Sequence, residues 1–155
     1  FTVYGPWGRP DMALFKFTKN ILENKKINLF NNGNQTRDFV YIDDVVKCII
    51  LSVSKIPRIN RKWFLKKPNP KSSYCPYRLI NVGSDNPTKL STFIRLIEMY
   101  LGKKSKQKNL PFQKSDIIKT ESSSQWCYEI LKYKPKIKPT EGIKRFLDWY
   151  KNYYQ

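Results

Sequence analysis

FTVYGPWGRPDMALFKF, residues 1–17, is the stretch whose reading decides the rest. FTVY reads as the end of a strand, cut off by Gly5–Pro6 and Gly8–Arg9–Pro10, which are strong turn signals. Asp11 offers an N-cap for a helix with apolar positions Leu14, Phe15, Phe17, Ile21 and Leu22. A buried strand running through a rigid turn into an apolar helix is one unit of an alternating α/β pattern. Within that turn Arg9 sits between Gly8 and Pro10, so its cation is aimed at a fixed place.

The same alternation continues outward. INLF at 27–30 reads as a short strand, NNGN at 31–34 as a turn rich in left-handed formers, and RDFVYI at 37–42 as a second strand. Asp43 and Asp44 are expected to cap the apolar helix VVKCIILSVSK. Residues 56–76 hold four prolines and no periodicity, and are expected to form a long Pro/Lys-rich surface loop. YRLINVGS at 77–84 predicts a buried strand, and 88–101 an amphipathic helix. A short strand around NLPF, a helix over SSSQWCYEILKY, a turn at KPKIKP and an aromatic helix EGIKRFLDWYKNYY complete the chain. There is no internal repeat, and the expectation is a single α/β unit over residues 1–155.

With 155 residues, 40% of them hydrophobic and 15% aromatic, the chain can bury a real core and is no disordered tail. The net charge of +18 raises the question of a polyanion partner. Lys outnumbers Arg 23 to 7 and is scattered over every segment, so the charge reads as Lys bias, with no nucleic-acid partner expected. No run is apolar enough to span a membrane, and no secretory signal stands at the start. Cys48, Cys75 and Cys127 lack metal-ligand spacing and there is no His, which argues against zinc. A cytoplasmic setting is the default.

Four ordered stretches carry a sharper signal: FTVYGPWGRPDMALFKF, NNGNQTRDFVYIDDVV, PYRLINVGSDNPTKL, and LPFQKSD with the closing EGI–RF–DWY helix. Together they resemble the UDP-glucuronate 4-epimerases, members of the NAD-dependent epimerase/dehydratase family in the extended short-chain dehydrogenase/reductase superfamily. The likeness spans essentially the whole chain. It implies the C-terminal, substrate-binding part of an extended Rossmann-type enzyme, with residues 1–4 a strand of the Rossmann sheet and the dinucleotide-binding half absent.

The resemblance assigns roles that suit the residue types. Arg37, after a Gly–Asn turn, would contact the pyrophosphate bidentately; without the resemblance, a surface salt bridge with Asp38 or Asp43 would be the plainer reading. Arg9 and Thr2 would meet the glucuronate carboxylate. Asn28, Leu29 and Phe30 would pass the uracil, with Phe30 equally suited to the core. Asp116 would accept from the ribose diol. Lys114–Ser115 stands where the family has Pro-Gly before this Asp. Val3 and Tyr4 would lie near the nicotinamide end of the cofactor, giving packing and backbone contacts.

The family's reaction passes hydride from the sugar C4 to NAD and back to the other face through a 4-keto intermediate, and the complete enzyme is expected to be a homodimer. Holding NAD takes a glycine-rich strand–turn–helix, and glycines at 5, 8, 33, 83, 102 and 142 make none. The Tyr-x-x-x-Lys spacings at Tyr100–Lys104 and Tyr128–Lys132 fall after the VYGP stretch, where the family does not place its pair, and are read as helix-surface pairs. No residue of this chain is assigned a catalytic role, and alone it is expected to be inactive and to bind UDP weakly or not at all. The alternatives are part of another nucleotide-sugar epimerase or dehydratase, or a non-catalytic basic binding module.

Overall fold

A computed structural model describes residues 1–63, 66 and 68–155. The elements are β1 (Thr2–Tyr4), α1 (Ala13–Leu22), β2 (Lys26–Phe30), β3 (Thr36–Arg37), β4 (Phe39–Tyr41), α2 (Ile42–Val53), β5 (Thr88–Lys89), α3 (Leu90–Leu101), β6 (Lys106–Leu110), α4 (Gln125–Leu131) and α5 (Pro139–Tyr154). Phe64, Leu65 and Lys67, which fall within the loop expected at 56–76, lie outside the described residues.

The strands form three small ladders: β1 with β4 and β2 with β6, both parallel, and β3 with β5 antiparallel. Parallel strands need their faces covered, and here the helices do it. Tyr4, Phe39 and Phe93 pack together in the core, Phe39 stacked on Phe93 with centroids 4.1 Å apart. Around them Phe15, Phe17 and Ile21 of α1, Ile94 and Ile97 of α3, and Ile143, Phe146 and Leu147 of α5 are buried. α5 lies tight against β1 and β4, because a Cβ on Gly142 would run into Tyr4 Oη and the Tyr41 ring.

Several elements depart from expectation for identifiable reasons. Asp11 does not cap α1; Met12 holds that position, and Asp11 pairs with Arg9. Asp43 and Asp44 lie inside the first turn of α2, which Tyr41 precedes. Asp44 is buried and ties α2 to the 133–137 turn, accepting from Tyr133 Oη at 2.6 Å and from the backbone N–H groups of Lys136 and Ile137.

The strand expected over 37–42 is split at Asp38, whose carboxylate is fully buried. The run 77–84 is not a strand. Its end is held by the Asp38 side chain, which accepts from Ser84 N–H and Oγ, each at 2.7 Å, and Leu79 is 44% exposed. Arg78 makes one bridge, to Ser72, and Leu79 N–H donates to the Lys71 carbonyl at 3.2 Å, but these isolated bonds build no ladder among the described residues. The last strand, β6, spans 106–110 instead of centring on NLPF, because Lys26–Phe30 pairs with Lys106–Leu110 residue for residue. Between α2 and α4 the Cys48 and Cys127 thiols lie 3.7 Å apart in a small second core, and burial pushes the Cys48 thiol up to about 12. Among the described residues no helix is long and apolar enough to cross a membrane.

Candidate functional site

The site is built on the turn after β2. Phe30 leads into a 3-10 turn at Asn31–Gly33 in which Asn31, Asn32 and Gly33 take φ of 48°, 51° and 70°. Asn and Gly are the residues that adopt this left-handed conformation at least cost. The turn brings Gln35, Thr36 and Arg37 back beside β2. There the Thr36 backbone is clasped from two sides: it pairs with Lys89, accepts from Thr120 N–H at 3.1 Å, and donates to the Ile118 carbonyl at 2.9 Å. This clasp carries residue 116 to residue 37.

The result is a cleft of about 460 Å³ lined by residues including Thr2, Asn28, Phe30, Gln35, Arg37 and Asp116. β2 alternates as a strand must: Ile27 and Leu29 turn into the core while Asn28 and Phe30 stay on the cleft side. Phe30 is therefore half-buried cleft wall and Leu29 core. Arg37 pairs with neither Asp38 nor Asp43. Its Nη2 donates to Asp116 Oδ1 at 2.6 Å and its Nη1 to the Thr36 carbonyl at 3.1 Å. Asp43 instead faces Arg145 at 3.3 Å.

Thus five of the six expected substrate residues, drawn from four separate stretches, line one cleft. Arg9 is the exception. It lines an adjoining, more open hollow of about 550 Å³ that shares Thr2 and Met12 with the cleft. Its guanidinium is clamped to Asp11 at 2.9 and 3.1 Å and holds that carboxyl below the usual range. Val3 lines the same hollow with its side chain exposed, while Tyr4 turns its ring into the core and burial pushes its hydroxyl well above the ordinary tyrosine value.

Sequence reasoning missed Gln35. It is 3% exposed, donates from Nε2 to Asp116 Oδ2 at 3.2 Å, and its buried Oε1 has no hydrogen-bond partner among the described residues. A polar residue between the left-handed formers of 31–34 and the strand expected from 37 was the available signal. Lys16 and Lys26 also line the cleft and, with Arg37, set three cations against Asp11 and Asp116. The Tyr-x-x-x-Lys spacings are not helix-surface pairs throughout: Lys104 lies beyond the end of α3 and pairs with Glu98, while Lys132, the left-handed C-cap of α4, sits over the Tyr128 ring at 5.7 Å.

The parallel α/β scaffold around this cleft has the fold of the extended short-chain dehydrogenase/reductases. Residues 1–62 match the model of the NAD dependent epimerase/dehydratase family. Over its full length the chain is 42% identical to Protein CapI of Staphylococcus aureus, covering 46% of that protein. It is 38% identical to a probable UDP-glucuronate 4-epimerase of Rhizobium meliloti (strain 1021), again across 100% of this chain and 46% of the relative. The UDP-glucuronic acid 4-epimerase from Bacillus cereus, solved with UDP-glucuronic acid and NAD, superposes with a TM-score of 0.79 at 28% identity, covering 99% of this chain and 44% of that one. MoeE5, in complex with UDP-glucuronic acid and NAD, shares the fold with a TM-score of 0.81 at 20% identity, over 98% of this chain and 45% of its own. The chain is thus similar to the NAD dependent epimerase/dehydratase family over residues 1–62, and its whole length resembles UDP-glucuronate 4-epimerases while spanning under half of theirs.

Proposed function

We propose that the chain is the nucleotide-sugar-binding, C-terminal part of an NAD-dependent UDP-glucuronate 4-epimerase, which interconverts UDP-glucuronate and UDP-galacturonate. The observation that carries this reading is the convergence of Thr2, Asn28, Phe30, Arg37 and Asp116 on one cleft, in a chain similar throughout to proteins of that name. In the proposal Arg37 takes the diphosphate, Asn28 and Phe30 flank the base, and Asp116 faces the ribose hydroxyls. Thr2 and Arg9 meet the sugar carboxylate at the seam between cleft and hollow. Arg9 is 74% exposed at its side chain, so its pair with Asp11 is weak and a ligand carboxylate can replace it.

The residues present do not make a cradle for NAD. The chain has no glycine-rich strand–turn–helix, and at the nicotinamide end it offers only Val3 and the Tyr4 backbone. NAD is therefore assigned to sequence beyond the part of the relatives matched here, and no catalytic step is placed on this chain. A cytoplasmic setting is part of this reading. A homodimer of the complete enzyme is part of the same reading.

Titration of the chain with UDP-glucuronate and UDP-glucose, followed by NMR, tests the substrate. Arg9→Ala is expected to weaken UDP-glucuronate and spare UDP-glucose. Equal loss on both would remove Arg9 from the carboxylate and favour a neutral hexose.

A further inference from the structure

The two groups assigned to separate parts of the ligand, Arg37 and Asp116, are bonded to each other. Their side chains are 20% and 33% exposed, so the pair is partly shielded from water inside the cleft. Asp116 Oδ1 also accepts from Ile117 N–H at 2.8 Å, and Oδ2 from Gln35 Nε2 at 3.2 Å. Both carboxylate oxygens thus have donors, and Nη2 of the guanidinium that a diphosphate would need is already engaged.

The surroundings are built for exchange. Residues 118–120 are fixed on Thr36 by two backbone hydrogen bonds, whereas Asp116 sits at the end of an exposed turn closed by its own N–H on the Gln113 carbonyl at 2.9 Å. Gln35, buried behind the pair, keeps an acceptor oxygen without a donor, which marks the present bonding as incomplete.

Resting on the reading of this cleft as a nucleotide-sugar site, we propose that Asp116 sets its ligand selectivity by competition. The carboxylate holds Arg37 until a ligand supplies both an anion to replace it and a vicinal diol to receive it. A diphosphate brings more than one charge and a second oxygen to a guanidinium that one carboxylate oxygen occupies. An anion lacking a diol breaks the pair and leaves Asp116 with nothing in exchange. A ribonucleoside diphosphate restores a partner to both groups. Asp116 is then a specificity residue that disfavours free phosphates and diphosphates, and Gln35 is the positioning residue that keeps its carboxylate in the cleft.

The experiment titrates the 155-residue chain with inorganic pyrophosphate and with UDP, following the Arg37 side-chain and Ile117 amide NMR signals. Asp116→Asn is expected to tighten pyrophosphate about three- to fivefold, the worth of a partly exposed ion pair, while weakening UDP. Asp11→Asn removes the same charge from the same cleft without touching Arg37, and is expected to move both ligands in one direction. The proposal is overturned if Asp116→Asn acts on the two ligands as Asp11→Asn does, or if it weakens both. If Arg37→Gln leaves both ligands unaffected, the cleft reading itself is wrong. Asp116→Ser, checked by a dispersed amide spectrum, replaces the Asn variant should that fail to fold.

Discussion

Arg37 and Asp116 are 79 residues apart in sequence and 2.6 Å apart in space, and their meeting depends on residues that never touch a ligand. Asp38 is the chief of these. Burial pushes its carboxyl up, but hydrogen bonds from the Ser122 and Ser84 hydroxyls and backbone outweigh that and hold it below the usual carboxylate range. A depressed folded-state pKa stabilises the fold above the unfolded value of about 3.9, and that contribution is lost as pH falls through the folded value. Asp38→Asn leaves buried donors facing an amide, at a cost of about 2 kcal/mol near neutral pH. Urea unfolding at pH 7 and again below about pH 3.5 is expected to show the gap between wild type and variant narrowing in acid. A gap that widens in acid would contradict the assignment. That Arg37 and Asp116 belong to one site was legible from their motifs, and both line the cleft, but their partnership was not legible. Asp38 and Asp43 are nearer in sequence, yet one is consumed by two serines and the other by Arg145.

At the scale of elements, helices were the most legible features, because a one-sided apolar period needs only a core to face. The short strands were harder. β3 has two residues, and it exists because Thr36 pairs with Lys89 and bridges to Lys119, neither of which is visible from local composition. The apolar run 77–84 shows the converse, since among the described residues it makes only an isolated bridge from Arg78 to Ser72 and gives its end to Asp38. α5 supplies a direct test. Ala is intrinsically better than Gly in a helix by about 1 kcal/mol, yet a methyl on Gly142 would collide with Tyr4 and Tyr41, an overpacking cost of about 1–3 kcal/mol. Gly142→Ala is therefore expected to lower the thermal midpoint, and a higher midpoint would show that α5 does not press on β1 and β4 as described.

For the molecule as a whole, the +18 charge and the cleft make competing claims on anionic partners. The charge predicts solubility, but one face of α2 opposes it: Val46, Ile49, Ile50 and Val53 are 43–78% exposed. Sedimentation is expected to show concentration-dependent self-association that Ile50→Lys reduces; a chain that stays monomeric at high concentration would count against this.

The central claim is that the Arg37 cleft is a specific nucleotide-sugar site and not one basic patch among many. The most direct measurement is a UDP-glucuronate titration of the uniformly labelled chain by amide NMR, at low and moderate salt, with Arg37→Gln alongside. The account predicts saturable shifts grouped at Thr2, Asn28, Phe30, Gln35, Arg37 and Ile117, persisting in salt and lost or weakened about tenfold in the variant, as removal of a charged hydrogen-bonding partner implies. Shifts scattered over the lysines, erased by salt and indifferent to Arg37→Gln, would contradict it.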